Sequence, residues 1–125
     1  MKLLLDTHIL FWALTDPKKL SNHTREQITS SENLAYVSLI SPWELQIKET
    51  TGKLRLPDNL FEEIEIVGFE LLPISLNHIK TLRYLPLIHR DPFDRMLVAQ
   101  AQCEQMTLVT RDQEILKYEV TFLHS

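Results

Sequence analysis

Apolar positions along the chain fall into short continuous runs separated by stretches with helical spacing. Leu3 to Leu5 form the first run, which ends at Asp6, and Ile9, Leu10, Trp12, Ala13 and Leu14 then recur as on one side of a helix. The pattern predicts a strand followed by a helix. Asp16-Pro17 stops that helix, because a residue before proline is pushed out of the α region. Ser21 is placed to cap a second helix to about Ser30, and Leu34 to Ser38 read as a second strand. Ser41-Pro42-Trp43-Glu44 has the form of a third helix start, with a serine cap, a proline at the first helical position and a glutamate three residues after the cap; Gly52 ends it. Pro57 to Val67 predict a fourth helix closed by Gly68, and Leu71 to Ile74 a third strand, placed at a sheet edge by Pro73. Ser75 caps a fifth helix through Tyr84. Asp91-Pro92-Phe93-Asp94 repeats the cap-and-proline pattern and opens the longest helix, to about Gln105, with Phe93, Met96, Leu97 and Ala101 on its apolar face. Thr107 to Thr110 form a fourth strand, Asp112 starts a last helix to about Tyr118, and Val120 to Leu123 form a closing strand.

Short strands alternating with helices predict βαβ units. The expected fold class is therefore α/β, a three-layer α/β/α domain over residues 1–125 with a mostly parallel central sheet of four to five short strands. No internal repeat, low-complexity tract or linker divides it.

Composition narrows the chemistry. The two glycines, Gly52 and Gly68, cannot build a G-x-G-x-x-G or a Walker loop. The single cysteine, Cys103, cannot form an internal bridge or a thiolate zinc cage, so the chain reads as reduced and intracellular, with Cys103 expected buried and inert. No stretch approaches the ~20 apolar residues of a membrane span. Met1-Lys2-Leu3-Leu4-Leu5-Asp6 is not expected to act as a signal peptide, since an acid follows three leucines and no small-residue cleavage site follows. A soluble, cytoplasmic protein is expected. A net charge of -4, from 13 Lys+Arg and 17 Asp+Glu, weighs at first sight against a nucleic-acid partner.

The informative coincidence is positional. Asp6, Glu44, Asp94 and Asp112 each lie just after a strand or in the first turn of a helix. In a parallel sheet those places share one edge, so four acids far apart in sequence converge there. Gathered carboxylates repel one another and resist burial unless a cation compensates, and oxygen ligation without clustered histidines or cysteines favours Mg²⁺ or Mn²⁺. Such an ion is equipped to bind a phosphate oxygen, activate water and stabilise a leaving alkoxide. Each acid taken singly has a simpler explanation, because carboxylates favour helix starts for capping and dipole reasons. Glu44 would complete a capping box with Ser41, and Asp94 with Asp91.

The ordered motifs carry more. An apolar strand ending in Asp6-Thr7, then Ser41-Pro42-Trp43-Glu44-Leu45 with Ile47-Lys48 and Gly52-Lys53-Leu54, then His89-Arg90-Asp91-Pro92-Phe93-Asp94-Arg95-Met96-Leu97, then Leu108-Val109-Thr110-Arg111-Asp112, resemble the PIN-domain ribonucleases, specifically the VapC-like toxins of toxin-antitoxin pairs. The resemblance covers essentially the whole chain. It implies a metal-dependent endoribonuclease in which Asp6, Glu44, Asp94 and Asp112 match the acidic quartet that binds metal and performs catalysis. Asp91 matches an additional acid, as a cap or a member of the ligand shell, and Thr110 a hydroxyl near the metals. It also implies a homodimer and a cognate antitoxin that inserts a basic side chain into the pocket, with an apolar groove near the first four helices.

The neighbouring residues have two readings each. Lys48 either pairs with Glu44 across one helical turn or contacts substrate phosphate. Arg90, Arg95 and Arg111 either touch RNA phosphates or are solvated surface charges. His8 and His89 are incidental neighbours of the site, without H-x-H or H-E-x-x-H spacing. Trp12 and Trp43 are core or dimer-contact aromatics. The stretch from Leu56 to Ile79 holds Asp58, Glu62, Glu63, Glu65 and Glu70 with no Lys or Arg, and reads as a solvated face or a protein contact.

Two other functions stand beside the nuclease. A non-catalytic PIN-like module binding RNA or protein usually loses part of the acidic set, and all four acids are present here. An aspartate-based phosphotransfer enzyme of the haloacid-dehalogenase kind wants a second Asp two residues after the first, where this chain has His8. With four of the 17 acids assigned to a metal site, 13 remain against 13 Lys+Arg, so the total charge does not exclude RNA.

Overall fold

The computed structural model describes residues 1–124. In chain order the elements are β1 (Lys2–Leu5), α1 (Thr7–Thr15), α2 (Asn22–Thr29), β2 (Leu34–Ser38), α3 (Ile40–Thr50), α4 (Leu60–Ile66), β3 (Glu70–Leu72), α5 (Leu76–Leu82), α6 (Pro92–Glu104), β4 (Thr107–Thr110) and β5 (Phe122–His124). Three-residue 3-10 turns occur at Pro17–Lys19 and Ile115–Lys117. The five strands form one parallel sheet in the order β3-β2-β1-β4-β5, with Leu4 opposite both Tyr36 and Leu108. This is the expected three-layer α/β/α fold, and β3 lies at an edge, where Pro73 removes no ladder hydrogen bond.

β1 is apolar because it lies at the centre of the sheet with helices on both faces. Leu4 points into one core with Met96, Leu97 and Val98 of α6. Leu3 and Leu5 point the other way, onto Ile9 and Leu10 of α1 and Leu60 and Ile64 of α4. Burying each such side chain stabilises the fold by about 1.5–3 kcal/mol. The chain winds outward through β2 and β3, then crosses back over β1 to build β4 and β5. The strand order therefore reverses beside β1 and β4, which makes the carboxyl ends of those strands the natural place for a ligand.

Several local expectations change. α3 begins at Ile40, not after a Ser41 cap, because the Ser38 hydroxyl already accepts the Ile40 N–H at 3.1 Å while the Leu39 N–H donates to Leu72 O at 3.0 Å. Pro42 then falls in the first turn, where a missing N–H costs no helix bond. Ser41 turns inward and Glu44 makes no capping box. α4 is shorter than Pro57 to Val67, since residues 57–59 form a turn closed by the Leu60 N–H on Pro57 O. The last helix shrinks to the 3-10 turn at Ile115–Lys117. Cys103 is exposed, on the solvent side of α6 rather than in its apolar face. No described helix is long and apolar enough to cross a membrane.

Asp91 caps α6 as expected, but Asp94 does not complete a capping box with it, because its side chain turns to His89. Asp91 accepts the Phe93 and Asp94 N–H groups at 2.8 and 3.2 Å, and Gln105 closes the helix with a left-handed φ of 55°. Asp91→Ala is therefore expected to lower stability by about 1 kcal/mol, or roughly 4 °C in Tm, whereas Asp91→Asn retains the cap. Thermal melting of the two variants checks this, and equal losses would discard the capping role.

Candidate active site

At the end of β1 the Asp6 N–H donates to Val109 O at 2.9 Å and its carbonyl accepts the Leu10 N–H. Asp6 is the N-cap residue of α1, yet its buried side chain caps nothing. It accepts instead from the Thr110 hydroxyl at 2.7 Å. Thr110, the last residue of β4, also accepts the Asp112 N–H at 3.0 Å, so one hydroxyl joins the ends of the two central strands. Asp112 Oδ1 in turn accepts the Glu114 N–H at 2.8 Å, leaving Oδ2 on the site side.

Glu44 enters from α3. Its Oε1 accepts from the Thr7 hydroxyl at 2.8 Å, and Thr7 Oγ1 shares a 2.9 Å hydrogen bond with Ser41 Oγ. Thr7 and Ser41 are 1% and 0% exposed, so this hydroxyl pair has no water to compete with it and orients Glu44 firmly. Lys48 Nζ lies 3.2 Å from the other oxygen of Glu44. Asp94, in the first turn of α6, is 2.8 Å from His89 Nε2 through its Oδ2, and the same nitrogen lies 3.8 Å from Asp112 Oδ2.

Electrostatics shows that these groups share one region. Burial, then repulsion by Asp6, Asp91, Glu44 and Asp112, pushes the Asp94 carboxyl up from 3.8 to about 7. Burial also raises Asp6, against the opposing effects of its Thr110 hydrogen bond and nearby His8. The structure thus brings Asp6, Glu44, Asp94 and Asp112 within electrostatic reach of one another, with Asp91 behind them as a cap. The tightest set is His89, Asp94 and Asp112, whose ligand-type atoms lie within 4.8 Å of one another. Hard oxygens, one imidazole and an excess of buried negative charge suit a hard divalent cation.

The surrounding cations divide. Lys48 makes the ion pair with Glu44. Arg95 donates to Pro86 O at 2.9 Å and to the Tyr118 hydroxyl at 3.1 Å, which pins the loop before α6. Arg111 donates to Lys19 O at 2.6 Å and lies 4.6 Å over the Trp12 ring. Arg90 is exposed and has no side-chain hydrogen bond or ion pair among the described residues. Trp12 is half-buried with His8 stacked on it, and Trp43 is exposed with its ring edge-on to Phe93 at 5.4 Å.

His89, Thr7 and Ser41 are the site neighbours that sequence reasoning undervalued. His89 precedes the α6 cap by two residues, and only the turn of the loop brings it back onto Asp94. The other described cluster of ligand-type atoms, His78, Cys103 and Glu104, suits a metal poorly. His78 Nδ1 accepts the Ser75 N–H at 3.0 Å, which leaves the ring proton on Nε2 facing Glu104.

The family model described as PIN domain matches residues 3–120. The chain belongs to the PIN-domain family. No curated protein matches it by sequence. Among solved structures, this PIN domain is similar to VapBC2 from Rickettsia felis bound to a DNA fragment from its promoter, at 18% identity and a TM-score of 0.76, covering 99% of this chain and 98% of that one. It is also similar to DNA-bound VapBC from Salmonella typhimurium, at 17% identity and a TM-score of 0.72 with the same coverage. FitAcB from Neisseria gonorrhoeae matches at 19% and 0.64, covering 98% and 96% of the two chains. At these identities the likeness is one of fold, and it places the PIN topology over nearly the full length of each chain.

The raised Asp94 makes the metal-free PIN domain pH-sensitive. Its stabilising contribution is full below about 3.8 and is lost as pH rises through about 7, because ionisation then costs more in the folded state than in the unfolded chain. In EDTA, the Tm of the wild type is expected to fall relative to Asp94→Asn between about pH 5 and pH 8, and Mn²⁺ to reverse the fall. Parallel melting profiles for the two proteins would refute this.

Proposed function

We propose that this PIN domain is a divalent-cation-dependent endoribonuclease and the toxin of a toxin-antitoxin pair. The observation that carries the reading is the convergence of Asp6, Glu44, Asp94 and Asp112 from four separate segments, with burial and then repulsion among the acids pushing Asp94 up to about 7. Those four carboxylates would hold Mg²⁺ or Mn²⁺, which supplies Lewis acidity toward a phosphate oxygen and toward water. Thr110 fixes Asp6 and the backbone of Asp112. Thr7 and Ser41 fix Glu44, and His89 orients Asp94. One of these carboxylates positions or deprotonates the attacking water as it approaches phosphorus. Lys48, at the rim beside Glu44, offers an ammonium to the phosphodiester, as does Arg90 from its exposed position. Arg95 and Arg111 serve the reaction indirectly, by holding the loop before α6 and the end of β4.

The partner reading rests on the VapBC neighbours and on a groove of about 460 Å³ between α1, α2, β2 and α4. Leu14, Leu20, Ile28, Val67 and Phe69 line it, so it suits the apolar side of an antitoxin segment. Exposed Leu39, just before α3, with Trp43 and Ile47 on α3, supplies a face for homodimerisation in the cytoplasm. A module that only binds gains nothing from burying mutually repelling acids. The phosphotransfer alternative lacks its second acid, since His8 is stacked on Trp12 in that place.

Purified protein incubated with a panel of RNAs is expected to cleave with Mg²⁺ or Mn²⁺, to stop in EDTA, and to lose at least about 100-fold in rate in Asp94→Asn. Cleavage that survives both EDTA and the substitution would overturn the reading.

A further inference from the structure

The twenty residues from Leu71 to Arg90 contain Lys80, Arg83 and Arg90 and no Asp or Glu, directly after the acidic stretch that ends at Glu70. The last part of this segment is the loop between α5 and α6, and it sets an exposed aromatic and an exposed leucine among arginines. Tyr84 is 80% exposed and Leu87 70% exposed, with Arg83 and Arg90 also exposed. Leu82, Leu87, Arg90, Pro92 and Arg95 enclose a shallow concavity of about 430 Å³. Arg95 holds the loop in place through Pro86 O and Tyr118, so the concavity is built rather than improvised. It lies against the first turn of α6, where Pro92 and Arg95 line it and flank Asp94 in sequence.

We propose that this loop is a nucleotide subsite for unpaired RNA next to the cleaved phosphodiester, with Arg90 on a phosphate and Tyr84 as a base-stacking platform. The inference rests on the nuclease reading and assigns the loop and the two side chains that would hold a nucleotide beside the reacting phosphate. An aromatic face beside guanidinium groups is the combination that binds single strands, because a stacked base needs an open π-face and the backbone needs positive charge. A paired base offers no free face, so a duplex gains only the charge. A second copy of this chain is the competing occupant. An isologous contact centred on this loop would set Arg83 and Arg90 close to their own symmetry mates, which charge disfavours. Phosphates have the complementary sign.

The test uses the full chain with Ca²⁺ present, a fluorescein-labelled single-stranded RNA, and the same RNA annealed to its complement. Anisotropy is expected to show tighter binding of the single strand. Tyr84→Ala and Arg90→Gln should each raise the Kd about tenfold, while Tyr84→Phe and Arg90→Lys remain within about twofold of wild type. Arg90→Gln should also reduce the slope of log Kd against log salt by about 0.7, which loss of a purely structural side chain would leave unchanged. KM for cleavage in Mg²⁺ should follow the Kd values. If the wild type cleaves RNA while the Ala and Gln variants match it in Kd and KM, the subsite falls and the activity stands. Weakened binding in the variants with no metal-dependent cleavage by the wild type would leave the subsite standing and remove the activity. Wild-type protein that binds neither strand overturns the subsite. So does a variant that shifts dimer to monomer in light scattering without changing the RNA Kd, which would assign the loop to a second copy.

Discussion

The structure is organised around a repulsion. Asp6, Glu44, Asp94 and Asp112 are brought together at the reversal point of the sheet, where two are deeply buried enough for their carboxyls to be pushed upward. Gathering like charges in partial burial costs stability, and the fold tolerates it because the groups are attached to elements held by other forces. β1 and β4 are fixed by apolar contacts on both sheet faces, so Asp6 and Asp112 follow from strands whose ends have nowhere else to go. Buried hydroxyls then aim the carboxylates. Thr110 bonds both Asp6 and the backbone of Asp112, and Thr7 bonds Glu44. Such neutral donors stabilise an anion without filling the space between the acids, which leaves room for a cation of higher charge.

How far this was legible in the sequence depended on whether the deciding interaction was local. The Asp91 cap, the Ser75 cap and the helix stop at Asp16-Pro17 are decided within four residues, and the structure has all three. The start of α3 is not decided by local pattern, because two serines compete for it. Ser41 fits the capping pattern, but Ser38 sits at the strand end and reaches the Ile40 N–H first, which releases Ser41 to bond Thr7 in an element 34 residues away. The four acids could be placed at one edge by topology alone, because strand ends in a parallel sheet are equivalent positions. Their supporting residues could not, since a threonine after an aspartate carries no local mark of bonding a distant glutamate.

Arginines show the same limit from the other side. Arg90, Arg95 and Arg111 are indistinguishable as neighbours of acidic positions, yet in the fold they differ. Arg95 is bound by the carbonyl of Pro86, and Arg111 donates to the carbonyl of Lys19 and lies over Trp12. A guanidinium that meets a backbone carbonyl acts as a structural tie, whereas one that meets only water keeps its donors for a ligand. No sequence pattern separates the two, because the carbonyls come from residues 9 and 92 positions away.

Net charge is also a poor guide here, for a reason the fold makes concrete. The total of -4 averages over a chain in which the acids are segregated. One group occupies the site, a second lies on and around α4 from Asp58 to Glu70, and the next twenty residues have cations alone. Screening confines each of these fields to about 10 Å at ordinary ionic strength, so an approaching polyanion responds to the nearest surface rather than to the sum. Beside the mouth lie Lys48, paired with Glu44, and the loop carrying Arg90, next in sequence to His89, while α4 packs on the opposite face of the sheet from α6, through Leu60 and Ile64. The acidity that argues against a nucleic-acid partner in the composition is therefore displaced from where such a partner would arrive, and the acids that remain there are those a cation would neutralise.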